Sequence, residues 1–114
     1  MFFISVEDFL IRAESIECLR KGEEKVLAQR MADGDASARD MLIKSHLRLV
    51  AAHVRRVPQR KRTLNTVYKC ITEVEKGVDS FNFQQDGETF AHHLGWRLRQ
   101  CIVRCLAEEP EDSQ

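Results

Sequence analysis

The side chains best suited to chemistry crowd into one stretch near the C-terminal end. His93, Arg97, Gln100 and Arg104 recur at helical spacing, with Trp96 and Arg99 beside them. On a helix such positions share a face. Guanidinium groups on such a face can hold phosphates, and an amide can both donate and accept hydrogen bonds. The plainer reading is a solvated face. Aromatics at this spacing usually belong to a core, which places Phe90 inside and Trp96 at a half-exposed edge.

A second cluster invites a metal reading. Cys101 and Cys105 stand one turn apart, and His92 and His93 lie two turns upstream. Four ligands strung along one straight helix cannot close a tetrahedron, so at most two could share an ion. No metal and no cofactor is expected. Cys18, Cys70, Cys101 and Cys105 form no CxxC pair and read as free, mostly buried thiols. The chain has no GxGxxG, phosphate loop, HExxH or GxSxG motif. The expectation is a protein that grips other macromolecules, not an enzyme.

Charge supports a gripping role. The net charge is zero, yet residues 41–72 contain no acid and carry Lys44, Arg48, Arg55, Arg56, Arg60, Lys61, Arg62 and Lys69. The C-terminal end is the reverse, with Glu108, Glu109, Glu111 and Asp112. A basic block in a neutral chain is a candidate footprint for phosphates or for an acidic protein surface, and equally a solvated face plus a basic loop.

These residues need elements to position them, and the pattern is helical nearly throughout. With 114 residues, 43% apolar and 32% charged, the chain is expected to be one globular all-α domain, a compact helical bundle of about five helices over 1–109. Ser5 caps a first helix over 5–22, with Asp8 completing a capping box. A short helix follows over 23–34, ended by Gly34. Asp35 caps a third over 35–57, whose stripe is Ile43, Leu47, Val50, Val54 and Val57, and Pro58 stops it. A basic loop over 59–63 leads to a fourth helix over 64–79. A polar turn leads to the last, over 88–108, with Phe90, Leu94, Leu98, Ile102 and Leu106 inward. Residues 110–114 form an acidic tail. No apolar run is long enough to span a bilayer, and the apolar start is too short for a signal peptide, so a cytoplasmic protein without membrane partners is expected.

Three stretches carry a resemblance. The first is Glu23-Glu24-Lys25-Val26-Leu27-Ala28-Gln29-Arg30, then Gly34-Asp35, Ala38-Arg39 and Leu42-Ile43. The second is Ser45-His46-Leu47-Arg48-Leu49-Val50-Ala51. The third is Val78-Asp79-Ser80-Phe81, then Phe90, then Trp96-Arg97-Leu98-Arg99-Gln100-Cys101-Ile102. In this order they resemble the end of region 1.2 and the whole of region 2 of bacterial sigma-70 family RNA polymerase sigma factors, and look closest to the sporulation type. The resemblance spans about residues 19–106.

It implies a region 2-like helical domain in which the third helix packs on the fourth and fifth. It also implies two partners: the RNA polymerase core, at the clamp of its large subunit, and the promoter −10 element. Carried over by position, DNA contacts fall on Phe90, His93, Trp96, Arg97, Arg99, Gln100 and Arg104, and polymerase contacts on Asn65, Thr66, Tyr68 and Lys69. Arg97 stands where the family has a second tryptophan, and His93 where it has a tyrosine. The family's acidic Asp-Leu-Ile-Gln-Glu-Gly docking motif is represented by Asn65-Thr66-Val67-Tyr68-Lys69-Cys70. Any −10 preference is therefore expected to differ from the usual one. No helix-turn-helix for the −35 element follows, so a second protein is expected to supply it. The alternative is an interaction protein of this fold that regulates polymerase, a sigma partner or an anti-sigma factor without reading promoters.

Overall fold

The computed structural model describes residues 2–20, 22–85 and 87–108. Among them there are helices and turns and no strand. The helices are α1 (Val6–Glu14), α2 (Glu23–Ala32), α3 (Ala36–Ser45), α4 (Leu47–Arg55), α5 (Leu64–Ser80) and α6 (Phe90–Glu108), with a short 3-10 turn at Gln59–Lys61 between α4 and α5. The tail expected at 110–114 lies outside the described residues.

Each start has a local cause. The Ser5 hydroxyl accepts the Asp8 N–H, the Asp35 carboxylate accepts the N–H groups of Ser37 and Ala38, and the Thr63 hydroxyl accepts that of Thr66. These bonds satisfy donors that a helix start leaves unpaired. Gly34 turns the chain between α2 and α3 at φ 99°, a conformation costly for any residue with a Cβ.

Two expected helices are shorter than their apolar spacing suggests. The first stops at Glu14, not at residue 22. The Ser15 hydroxyl donates to the Arg12 carbonyl, and the Ile16 N–H takes Ala13. This local bonding closes the turn. Ile16 and Leu19 still pack on the core, but from irregular chain.

The expected single helix over 35–57 is two helices, broken at His46. In an unbroken helix the Leu42 carbonyl would accept the His46 N–H. Instead it faces the Ser45 hydroxyl at 3.0 Å and His46 Nδ1 at 2.7 Å, while the His46 N–H turns to Ile43. Two side-chain donors thus displace the backbone donor.

All six helices contribute to the core. Leu10, Leu42, Leu47, Val50, Val54, Val74, Leu94 and Leu98 have essentially no accessible surface. Burying each such leucine stabilises the fold by roughly 1.5–3 kcal/mol. α4 packs against α1, α5 and α6, and α5 lies along α6. Arg62, expected in a basic loop, donates to the carbonyls of Val57 and Arg55 at 2.9 and 2.8 Å, and so closes the end of α4. None of the helices described is long and apolar enough to cross a membrane.

Candidate nucleic-acid interface

α6 is amphipathic in a way that fixes what it can offer. Phe90, Leu94, Leu98, Cys101, Ile102 and Cys105 point inward. The outward ridge is Trp96 and Val103, 59% and 61% exposed, with the exposed Arg99 and Gln100 between them. Trp96 and Gln100 are four residues apart and so stand one turn apart on the same side. An uncovered indole beside a free amide can stack on one base and hydrogen-bond another.

The positive side chains divide between two flanks. On the α5 flank, Arg97 Nε and Nη2 approach Glu73 Oε1 at 3.2 and 3.1 Å, and Arg104 Nη2 lies 3.7 Å from Glu73 Oε2. The expected ridge of His93, Arg97, Gln100 and Arg104 is therefore tilted. Its two arginines bend toward α5, and Trp96 and Gln100 hold the outer crest. His93 is half-buried, its ring 5.1 Å from that of Phe81. Its Nδ1 lies 3.8 Å from a Glu88 oxygen, and His92 Nδ1 lies 3.4 Å from the other.

On the α4 flank, Arg99 and Arg56 meet across a groove of about 210 Å³, which also contains His53, Pro58, Val103 and Leu106. The exposed Arg60 and Lys61 stand on the turn just beyond Pro58.

Phe90 is a correction. Its ring has no accessible surface. It meets His46 edge-on at 4.7 Å, Phe83 at 4.9 Å and Phe81 at 5.3 Å. A ring enclosed this way cannot receive a base, and it serves instead to fix the start of α6.

The positions expected to meet polymerase also divide. Asn65 and Lys69 are exposed, although the Lys69 ammonium lies 3.1 Å from Glu108. Thr66 is buried and its hydroxyl accepts that of Thr63, so it is no contact surface. Tyr68 is half-buried, and its hydroxyl is bonded to the backbone of Phe3.

Cys70 has no accessible surface, and Cys101 and Cys105 are buried on the facing side of α6. Burial pushes the Cys101 thiol up to about 11 and the Cys70 thiol further. Such thiols stay protonated and inert. Among the described residues no three His, Cys, Asp or Glu side chains assemble into a metal-binding group.

Glu73 belongs to this face and was not singled out from sequence. Glu73 is separated from Arg97 by 24 residues, so only the packing of α5 on α6 reveals the pair.

No protein-family model matches the chain. It is similar to proteins described as RNA polymerase sigma factor SigA. The one from Clostridium acetobutylicum is 32% identical over 111 residues, which is 93% of this chain and 29% of the relative. The one from Listeria monocytogenes is 30% identical over 105 residues, which is 91% of this chain and 28% of the relative. This chain carries a sigma-70 family region. It spans less than a third of the length of those relatives. Within the sigma region, Trp96 and Gln100 lie on the exposed ridge of α6 with Arg99 and Val103. Of the rest of its expected DNA-facing set, Arg99 is exposed toward α4, His93 is half-buried, Phe90 is buried, and Arg97 and Arg104 are drawn toward Glu73 on α5.

Proposed function

We propose that the chain works as a sigma-like transcription-initiation module. It docks on the RNA polymerase core through the exposed part of α5 and holds unpaired −10 promoter DNA through α6. The observation that carries this reading is the pair Trp96 and Gln100, exposed one turn apart on a helix whose other face is packed. Binding would replace the stacking a base loses on leaving the duplex, and Arg99 and Arg56 would hold phosphates and set register. No bond is made or broken in such a role.

The test is a mixture of the full chain with core polymerase and a fluorescent non-template −10 oligonucleotide, followed across salt. Affinity that falls steeply with salt and with Trp96→Ala supports the reading. Indifference to both removes it.

A second reading draws on a specific observation. Thr66 and Tyr68 are engaged by the fold, and Arg97 and Arg104 by Glu73. On that reading the chain is an interaction protein that regulates polymerase, a sigma partner or an anti-sigma factor. Polymerase binding with no oligonucleotide binding would favour it.

A further inference from the structure

We infer that Glu73 sets how strongly this face holds polyanions: its carboxylate withholds Arg97 and Arg104 from phosphate and leaves Trp96 and Gln100 to select unpaired bases. The inference rests on the nucleic-acid reading of α6 but makes a separate claim about charge.

The geometry is that of a shared acceptor. Arg97 and Arg104 are seven residues apart, about two helical turns or 10 Å along α6. Glu73 projects from α5 between them, one oxygen to each guanidinium. Its side chain is only 15% exposed, and that of Arg97 only 25%. Water therefore screens the Arg97 pair poorly. A phosphate that drew Arg97 away would leave a half-buried carboxylate without its cation and would itself face that carboxylate's charge. Arg104 is held more loosely, at 3.7 Å with 58% of its side chain exposed, and would be the first to change partners.

This division has a consequence for selectivity. Non-specific binding to nucleic acid grows with the number of phosphates neutralised and with the counterions released. Stacking of a base on an aromatic ring does not depend on that number. Tying up two of the arginines on α6 suppresses the first contribution and spares the second. The face then discriminates against duplex and other polyanions and in favour of a strand with a free base.

The experiment compares the full native chain with Glu73→Gln, Glu73→Ala, Arg104→Gln and the double variant Glu73→Gln/Arg104→Gln. Immobilised heparin serves as a polyanion without bases, and the −10 oligonucleotide as a strand with them. Either Glu73 variant should leave heparin at higher salt than the native chain. For the oligonucleotide, the slope of log affinity against log salt should steepen by about one, the value for one to two added phosphate contacts. Arg104→Gln should cost more in the Glu73→Gln background than in the native chain. Folded Glu73 variants with native heparin elution and native slope would overturn the inference, as would equal Arg104→Gln losses in both backgrounds. The two claims fail separately. A chain that behaves as inferred on heparin, yet whose oligonucleotide binding ignores Trp96→Ala, loses the promoter reading alone.

Discussion

The Tyr68 hydroxyl meets both backbone groups of Phe3, accepting its N–H at 2.9 Å and donating to its carbonyl at 3.3 Å. The contact joins residues 65 positions apart and ties the N-terminal segment to α5. Phe3 is buried there, its ring 5.1 Å from Phe9 and 6.3 Å from Tyr68. Part of the helix side that the resemblance gives to polymerase is thus occupied by the chain's own beginning. Tyr68→Phe keeps the ring and removes the bonds. It should destabilise the fold by about 1 kcal/mol, because a partly buried N–H loses its acceptor. Urea unfolding measures this, and an unchanged midpoint would show that the segment is not held there.

Gly77 faces Phe90 closely. A Cβ at Gly77 would stand 3.3 Å from one ring carbon and 3.4 Å from another. Alanine gains about 1 kcal/mol in helix propensity. Against this, the ring is enclosed by His46, Phe81 and Phe83 and has no accessible surface into which to retreat. Overpacking of such a site costs about 1–3 kcal/mol. The crowding should win, so Gly77→Ala is expected to lower the thermal midpoint slightly and Gly77→Leu to lower it severely. A stabilised alanine variant would mean that α6 can move away from α5.

Arg62 should behave unlike its basic neighbours. Its guanidinium donates to two carbonyls at the end of α4, whereas Arg60 and Lys61 are exposed. Arg62→Gln is expected to cost about 1–2 kcal/mol of stability through lost charge-assisted bonds. Arg60→Gln and Lys61→Gln should leave stability within about 0.5 kcal/mol. Equal effects in denaturant titrations of the three variants would remove the capping role.

Acid should loosen the fold in a defined window. Bonds from the Ser37 hydroxyl and from Arg30 lower Asp35 to about 2, and the guanidiniums of Arg55 and Arg39 lower Glu14 and Asp79. All three carboxylates have folded values below their unfolded ones. Their stabilisation is fully present above about pH 5 and is lost as pH falls through the folded values. The urea midpoint should therefore hold steady from pH 7 to about 5 and then fall toward pH 2. Asp35→Asn keeps a capping side chain without the titration, and so should shrink the fall. A midpoint that is level down to pH 2 contradicts this.

How much of this could be read from sequence depends on the range over which each feature is determined. The inward faces of α5 and α6 were legible because Val67, Ile71, Val74 and Val78, and Leu94, Leu98 and Ile102, repeat at the helical period. The caps at Ser5 and Asp35 were legible because they depend on bonds spanning only two or three residues, whereas Thr63, read as loop, also caps α5. The break at His46 was hidden. A side chain competing for one carbonyl leaves no trace in apolar spacing, and Val50 and Val54 continue the stripe of Ile43 and Leu47 across it. The candidate site was legible at Trp96, Arg99 and Gln100, which are exposed where the spacing put them. Phe90 was placed inward by its spacing, and only the resemblance put it among DNA contacts; the pairing of Arg97 and Arg104 with Glu73 on α5 was hidden because it forms between helices.

Trp96 gives the most direct test of the proposed function, because it is the single tryptophan of the chain and is 59% exposed. Its emission should be that of a largely hydrated indole in the free protein. A base stacking on the indole should quench that emission, whereas contact with phosphate alone would leave it nearly unchanged. The −10 oligonucleotide is therefore expected to quench Trp96, and an abasic version at the stacked position to quench it much less. Base–aromatic stacking contributes about 1–3 kcal/mol, so Trp96→Ala should weaken oligonucleotide binding by roughly 5- to 150-fold at constant salt. Because the ring is mostly outside the core, the same substitution should change stability by no more than about 0.5 kcal/mol. Binding that persists in Trp96→Ala, or native emission that ignores the oligonucleotide, would leave α6 without its stacking role. What remained would be a charged surface on Arg99 and Arg56, which suits a protein partner as well as it suits DNA.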